Sequence, residues 1–115
     1  MGKSDSLGQF EQLVLAAVQT VDNAYGTPIH AKVEQLAAKR VRFASVYTTL
    51  NRLEQKGYIS SREADRTHPR GHQPKRYYTV TATGEMALQD SVVMAQRFLE
   101  LLRVNSNPQH TKNRR

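Results

Sequence analysis

The amino-acid sequence predicts a mainly α-helical fold with one small β-hairpin. Three observations carry this expectation. Apolar residues recur at alternating steps of three and four over residues 7–21, 29–36, 43–56 and 88–102, the spacing of a helix face. Two short runs, 58–62 and 75–80, read as strands, and the second is rich in Tyr, Thr and Val and alternates with a period of two. Between them residues 65–74 are polar and hold two Pro and one Gly, a loop longer than a tight hairpin requires.

Each element follows from local signals. Ser6 and Gln9 have the spacing of a capping box, which predicts that the first helix opens at Ser6. Leu7, Phe10, Val14, Ala17 and Val21 form its face, widened by Leu13, Leu15 and Val18. Asn23-Ala24-Tyr25-Gly26 ends it, with Gly26 expected in the left-handed conformation. Thr27 is expected to cap the second helix and Pro28 to fit its first turn. Ile29, Val33 and Leu36 are its buried stripe, and it fades near Lys39 and Arg40. The third helix spans 43–56. Val46, Leu50 and Leu53 point inward, Ala44, Tyr47, Thr48, Asn51 and Gln55 lie opposite, Ser45 and Arg52 occupy one flank, and Gly57 ends it. In the return strand Tyr78 and Val80 share the inward face, while Lys75, Tyr77 and Thr79 share the other.

The residues 81–85 cap a last helix that reaches about Val104. Leu88, Val92, Ala95, Leu99 and Leu102 form one seam, and Ala87, Met94, Phe98 and Leu101 form a second beside it. At about 100° per residue the two seams cover about half the circumference. A small domain has little surface on which to bury both, so one seam is expected to meet the first helix and the other a partner chain. The resulting division is a helix-and-hairpin unit over 1–82, a C-terminal dimerisation helix over 83–104 and a basic disordered tail over 105–115. The residues expected to carry self-association are Leu88, Val92, Ala95, Phe98, Leu99 and Leu102.

Composition narrows the function. A chain of 115 residues makes one small domain. It has no Cys, so disulfides and thiolate metal sites are excluded. The longest unbroken apolar run, Leu13 to Val18, is far short of a membrane span, and the first residues have no apolar signal stretch. A cytoplasmic protein is expected. The net charge of +7 and pI near 10.1 favour an anionic partner. Residues 28–56 carry six basic against two acidic side chains, residues 57–80 five against two, and 103–115 four against none. Residues 1–27 and 81–102 each sum to −2. No nucleophile motif, Gly-rich phosphate loop or paired carboxylate in an apolar setting is present, which argues against an enzyme and against any cofactor. His68 and His72 lie in the polar loop with only Asp65 nearby and read as solvent-exposed, not as metal ligands. His30 and His110 stand alone.

The order helix, helix, helix, strand, loop, strand, helix, with positive charge on the second helix, the third helix and the hairpin, is the layout of a winged helix-turn-helix. In that layout the third helix enters the major groove of DNA and the wing follows the backbone or the minor groove. Ser45, Tyr47, Thr48 and Asn51 then face base edges or groove walls. Arg42, Arg52, Arg70, Lys75 and Arg76 neutralise phosphates, with Arg70 at the wing tip. Each has a plainer role open to it: Tyr47 as an edge staple, Thr48 and Asn51 as a solvated face, Arg52 paired with Glu54, and the wing charges as a solvated hairpin. Two other functions fit the same fold. A protein-docking winged helix calls for an apolar or acidic third-helix face, whereas this one is Ser, Tyr, Thr, Asn and Arg. An RNA-binding module calls for a platform of exposed aromatics, for which only Tyr47 and Tyr77 qualify.

The stretches FEQLVLAAV, NAYGTPI, SVYTTLNRLEQKGYI and KRYYTVTATG, in this order, resemble those of PadR-type regulators over residues 7–88. The most specific are Val46-Tyr47-Thr48-Thr49-Leu50 with Leu53-Glu54-Gln55-Lys56-Gly57, and Tyr77-Tyr78-Thr79-Val80-Thr81. The resemblance implies a homodimer built through the C-terminal helix, repression from inverted-repeat operators of double-stranded DNA, and relief by a small-molecule effector in some members. Two positions depart from the pattern. Arg42 stands where relatives often have a capping Ser, and Arg70-Gly71-His72 stands where relatives tend to carry paired glycines. Some multidrug-binding relatives hold flat ligands between tryptophans, and this chain has no Trp.

Overall fold

The computed structural model describes residues 7–64 and 75–105. Its elements are α1 (Gln9–Thr20), α2 (Gly26–Ala37), α3 (Phe43–Gln55), β1 (Ile59–Glu63), β2 (Arg76–Val80) and α4 (Ala82–Asn105). The order is the one the sequence predicts, a mainly α fold with one hairpin and an added C-terminal helix.

The core forms where the helical stripes converge on the hairpin. Val14, Leu15, Ala17 and Val18 of α1, Ile29 and Val33 of α2, and Val46, Leu50 and Leu53 of α3 are buried together with Tyr58, Ile59 and Tyr78. Thr49, one turn from Val46 and Leu53, is buried with them. β1 and β2 pair antiparallel with Ile59 opposite Val80, Ser61 opposite Tyr78 and Arg62 opposite Tyr77. The chain between α1 and α2 adds to the other edge of β2, where the Tyr78 N–H donates to the Ala24 carbonyl at 2.9 Å.

Helix ends differ from expectation in three places. The N-cap of α1 is Gly8, whose N–H donates to the Glu11 carboxylate at 2.8 Å, and Ser6 lies outside the described residues. Gly26 is the first residue of α2 and not a left-handed terminator; Tyr25 precedes it in extended conformation, and no side chain caps the helix. At the other end Ala38, not a glycine, takes the left-handed conformation (φ 58°). Leu36, expected in the buried stripe, is 47% exposed: it stands one residue before the helix ends and lines an open groove with Phe10, Leu13, Leu88 and Val92. Gly57, with φ 82°, ends α3 as expected.

α4 is tied to the body by its first turns. The Thr81 hydroxyl accepts the Gly84 N–H at 3.0 Å and donates to the Gly57 carbonyl at 2.7 Å, a side-chain cap that also clamps the preceding turn. Ala87 and Leu88 pack on the core, but Val92, Val93, Met94, Phe98, Leu99, Leu101 and Leu102 are exposed. The expected split, one seam inward and one outward, is therefore corrected. The division runs along the helix and not around it, because α1 is too short to follow α4 beyond its first turns. Within the described residues no helix is long and apolar enough to cross a membrane.

Candidate nucleic-acid interface

The α2–α3 turn is built by polar contacts from α2. Glu34 accepts the Val41 N–H at 2.9 Å, and His30 Nε2 lies 2.7 Å from the Val41 carbonyl oxygen. A carbonyl only accepts, so His30 carries its proton on Nε2. These two contacts pin the entry to α3 where no side chain caps its first turn, the position Arg42 occupies. Arg42 is exposed beside Phe43, and the Phe43 ring makes edge contacts with His30 at 5.2 Å and Tyr47 at 5.3 Å.

The outer face of α3 is assembled as the helical spacing demands. Ser45, Tyr47, Thr48, Asn51 and Arg52 are all exposed, with Ala44 and Gln55 completing the face. No carboxylate lies on it. Glu54, the one acidic residue of α3, is half-buried and accepts the Ser61 hydroxyl at 2.7 Å. The face therefore offers neutral donors and acceptors with a cation at each end, suited to base edges flanked by phosphates. Tyr47 is 45% exposed, so its contact with Phe43 leaves part of the ring at the surface.

The two faces of the hairpin differ in charge. Toward α3, Arg76 donates to the Ser61 hydroxyl at 2.9 Å and meets Glu63 at 3.4 Å. On the outer face, Arg62 lies 5.4 Å over the Tyr77 ring, Tyr77 lies 5.5 Å from Tyr25, and Lys75 Nζ lies 4.4 Å from the Tyr25 centroid. Burial holds the Tyr78 phenol, on the inward face with Arg76, above its ordinary pKa and keeps it neutral. Arg70 and the basic tail lie outside the described residues, as do His68 and His72. Tyr25, Phe43 and Arg62 were missed in the sequence. Period-two alternation places Arg62 on the outer face opposite Tyr77, but no local pattern brings Tyr25 to that face.

Solved structures of known regulators are similar to this chain. A PadR-like transcription factor from Bacteroides fragilis is 23% identical, with a TM-score of 0.71 over 84% of this chain and 88% of that one. A PadR family transcriptional regulator from Eggerthella lenta is 28% identical, with a TM-score of 0.60 over 86% and 80%. Bacillus subtilis PadR, solved in complex with operator DNA, is 19% identical, with a TM-score of 0.60 over 72% of this chain and 47% of that one. No curated protein sequence matches the chain. The likenesses below 25% identity establish the fold. The model of the PadR-like transcriptional regulator family matches residues 14–90, more than half of the sequence, and the chain belongs to that family.

Proposed function

We propose that this DNA-binding transcriptional regulator is a repressor that binds an inverted-repeat operator as a homodimer. The observation that carries the reading is the exposed, carboxylate-free face of α3 beside a basic hairpin. Ser45, Tyr47, Thr48 and Asn51 read the major groove, while Arg42, Arg52 and Lys75 neutralise phosphates. Arg76 does so by exchanging Glu63 for a phosphate, and Arg70, outside the described residues, adds a further phosphate contact in this reading. The similar Bacillus subtilis PadR was solved with operator DNA, which supports the same mode for this chain.

Dimerisation rests on the uncovered length of α4. Val92, Phe98, Leu99 and Leu102 are exposed, Ala95 lies among them, and Leu88 joins them to the core. Beside them an open groove of about 680 Å³ is lined by Phe10, Leu13, Leu36, Leu88 and Val92 among others. A second copy's α4 would cover both. A small-molecule effector would release the operator by favouring a dimer geometry with the wrong half-site spacing. Members of this family are transcription factors and not enzymes.

Selection of bound fragments from random duplex DNA should yield an inverted repeat. A good bidentate base contact is worth about 1–3 kcal/mol of discrimination. Thr48→Ala and Asn51→Ala should each narrow the gap between selected and random duplex by an amount in that range. If both variants keep the full preference, the face assigned to the groove is the wrong one.

A further inference from the structure

We infer that Tyr25 and Tyr77 are positioning residues for DNA binding: the Lys75–Tyr25–Tyr77–Arg62 ladder sets the wing stem against α2 and presents Lys75 as a pre-ordered phosphate contact. The inference rests on the DNA-binding reading and adds two residues and a mechanism to it.

The ladder joins parts of the fold that are distant in sequence. Tyr25 directly precedes Gly26, the first residue of α2, and a side chain placed at Gly26 would stand 3.1 Å from the Phe43 ring and 3.9 Å from the Tyr47 hydroxyl of α3. Tyr77 is the second residue of β2 and pairs across the hairpin with Arg62. The ring contact between Tyr25 and Tyr77, at 5.5 Å and 58°, therefore links the hairpin to the place where α2 meets the recognition helix. The backbone bond from Tyr78 N–H to the Ala24 carbonyl, at 2.9 Å, runs beside it and restrains the same junction.

The cations at the ends of the ladder differ from Arg76. Arg76 is held by Ser61 and Glu63, so its charge is already answered within the fold. Among the described residues Lys75 has no carboxylate partner, only the Tyr25 ring at 4.4 Å. A ring face attracts a cation through its quadrupole without neutralising it. The ammonium keeps its full charge and its donors for a phosphate. The ring also removes part of the side-chain freedom that a lysine otherwise loses on binding. Arg62, stacked on Tyr77 at 5.4 Å, closes the other end and holds that ring in place.

The test titrates the full-length protein against selected and random duplexes over a range of salt. The variants are Tyr25→Phe, Tyr25→Leu, Tyr77→Phe, Tyr77→Leu, Lys75→Gln and the double variant Tyr25→Leu/Lys75→Gln, with thermal melts as the folding control. Lys75→Gln should flatten the log–log salt slope by about 0.9 per protomer, the loss of one phosphate contact from each half-site. Tyr25→Leu should flatten it by a similar amount, and the double variant should lose no more than either single change, since both remove the same contact. The Phe variants keep the ring and should keep the wild-type slope. Tyr77→Leu tests the ladder separately if Tyr25→Leu melts early, and it too should flatten the slope. Wild-type slopes for both Leu variants, or additive losses in the double variant, would overturn the ladder. A wild-type protein that shows no salt-dependent duplex binding would instead overturn the DNA-binding reading.

Discussion

At the scale of single residues, Glu11 and Lys56 show how a charge is accommodated inside a small core. Glu11 is only 7% exposed, on an otherwise apolar stretch of α1. Its carboxylate accepts the Gly8 N–H at 2.8 Å and the Lys56 ammonium at 2.9 and 3.1 Å, tying the start of α1 to the end of α3. Burial alone raises its pKa, but the Gly8 hydrogen bond, Lys56 and the charge of Arg52 outweigh burial and hold it below the ordinary carboxylate value. The sign follows from linkage. A depressed folded pKa stabilises the fold above the unfolded value and loses that contribution as pH falls through the folded one. Acid titration of stability should show this loss beginning near the unfolded glutamate value of about 4.3, and Glu11→Gln should remove the Glu11 part of it. Lys56→Met, which leaves the carboxylate buried without its ion partner, should cost about 2 kcal/mol in denaturant unfolding at neutral pH.

Among the elements, α4 depends on a close approach at its first turn. A Cβ on Gly84 would run into the Tyr58 carbonyl oxygen, stand 2.9 Å from the carbonyl carbon and touch Val80 at 3.0 Å. The neighbours are mostly backbone, so they do not yield as a side chain would. In an ordinary helix Gly→Ala gains about 1 kcal/mol. Here the clash reverses the sign, and Gly84→Ala should cost about 2 kcal/mol net, measured by urea unfolding. A stabilised variant would mean that α4 stands further from the hairpin than the structure has it. The Thr81 hydroxyl was legible as a cap because its spacing is local. The requirement for Gly84 was not, because the atoms it avoids belong to Tyr58.

For the whole molecule the open question is what covers α4. Beyond Leu88 the apolar positions 92, 93, 94, 98, 99, 101 and 102 are all exposed, more than a soluble monomer keeps in one patch. The homodimer reading makes a direct demand. The wild type should sediment as a dimer at micromolar concentration. Leu99→Glu should sediment as a monomer with an unchanged circular dichroism melt of the DNA-binding unit, because burying an unpaired charge costs several kcal/mol. A monomeric wild type would leave the patch needing another partner and would remove the basis for an inverted-repeat operator.

The element order, the inward stripes apart from Leu36, the polar face of α3 and the basic character of the hairpin are all legible in the amino-acid pattern. Those features are written in periodicities of 3.6 and 2, and a local pattern reports them because each element must bury one face. Helix ends were less legible. Gly8 and Glu11 took the cap expected of Ser6, and Gly26 opened a helix it was expected to end, since several neighbouring residues could satisfy the same terminal N–H groups. How charge is apportioned depends on contacts that no local pattern reports. Arg76 faces Glu63 while Lys75, the residue before it, lies on Tyr25, a difference set by which side of a twisted hairpin each side chain leaves. Tertiary packing also leaves α4 covered at its start and bare along the rest. A heptad seam states that a helix needs a partner, but how far α1 and the hairpin run beside α4 settles how much of its cover they supply.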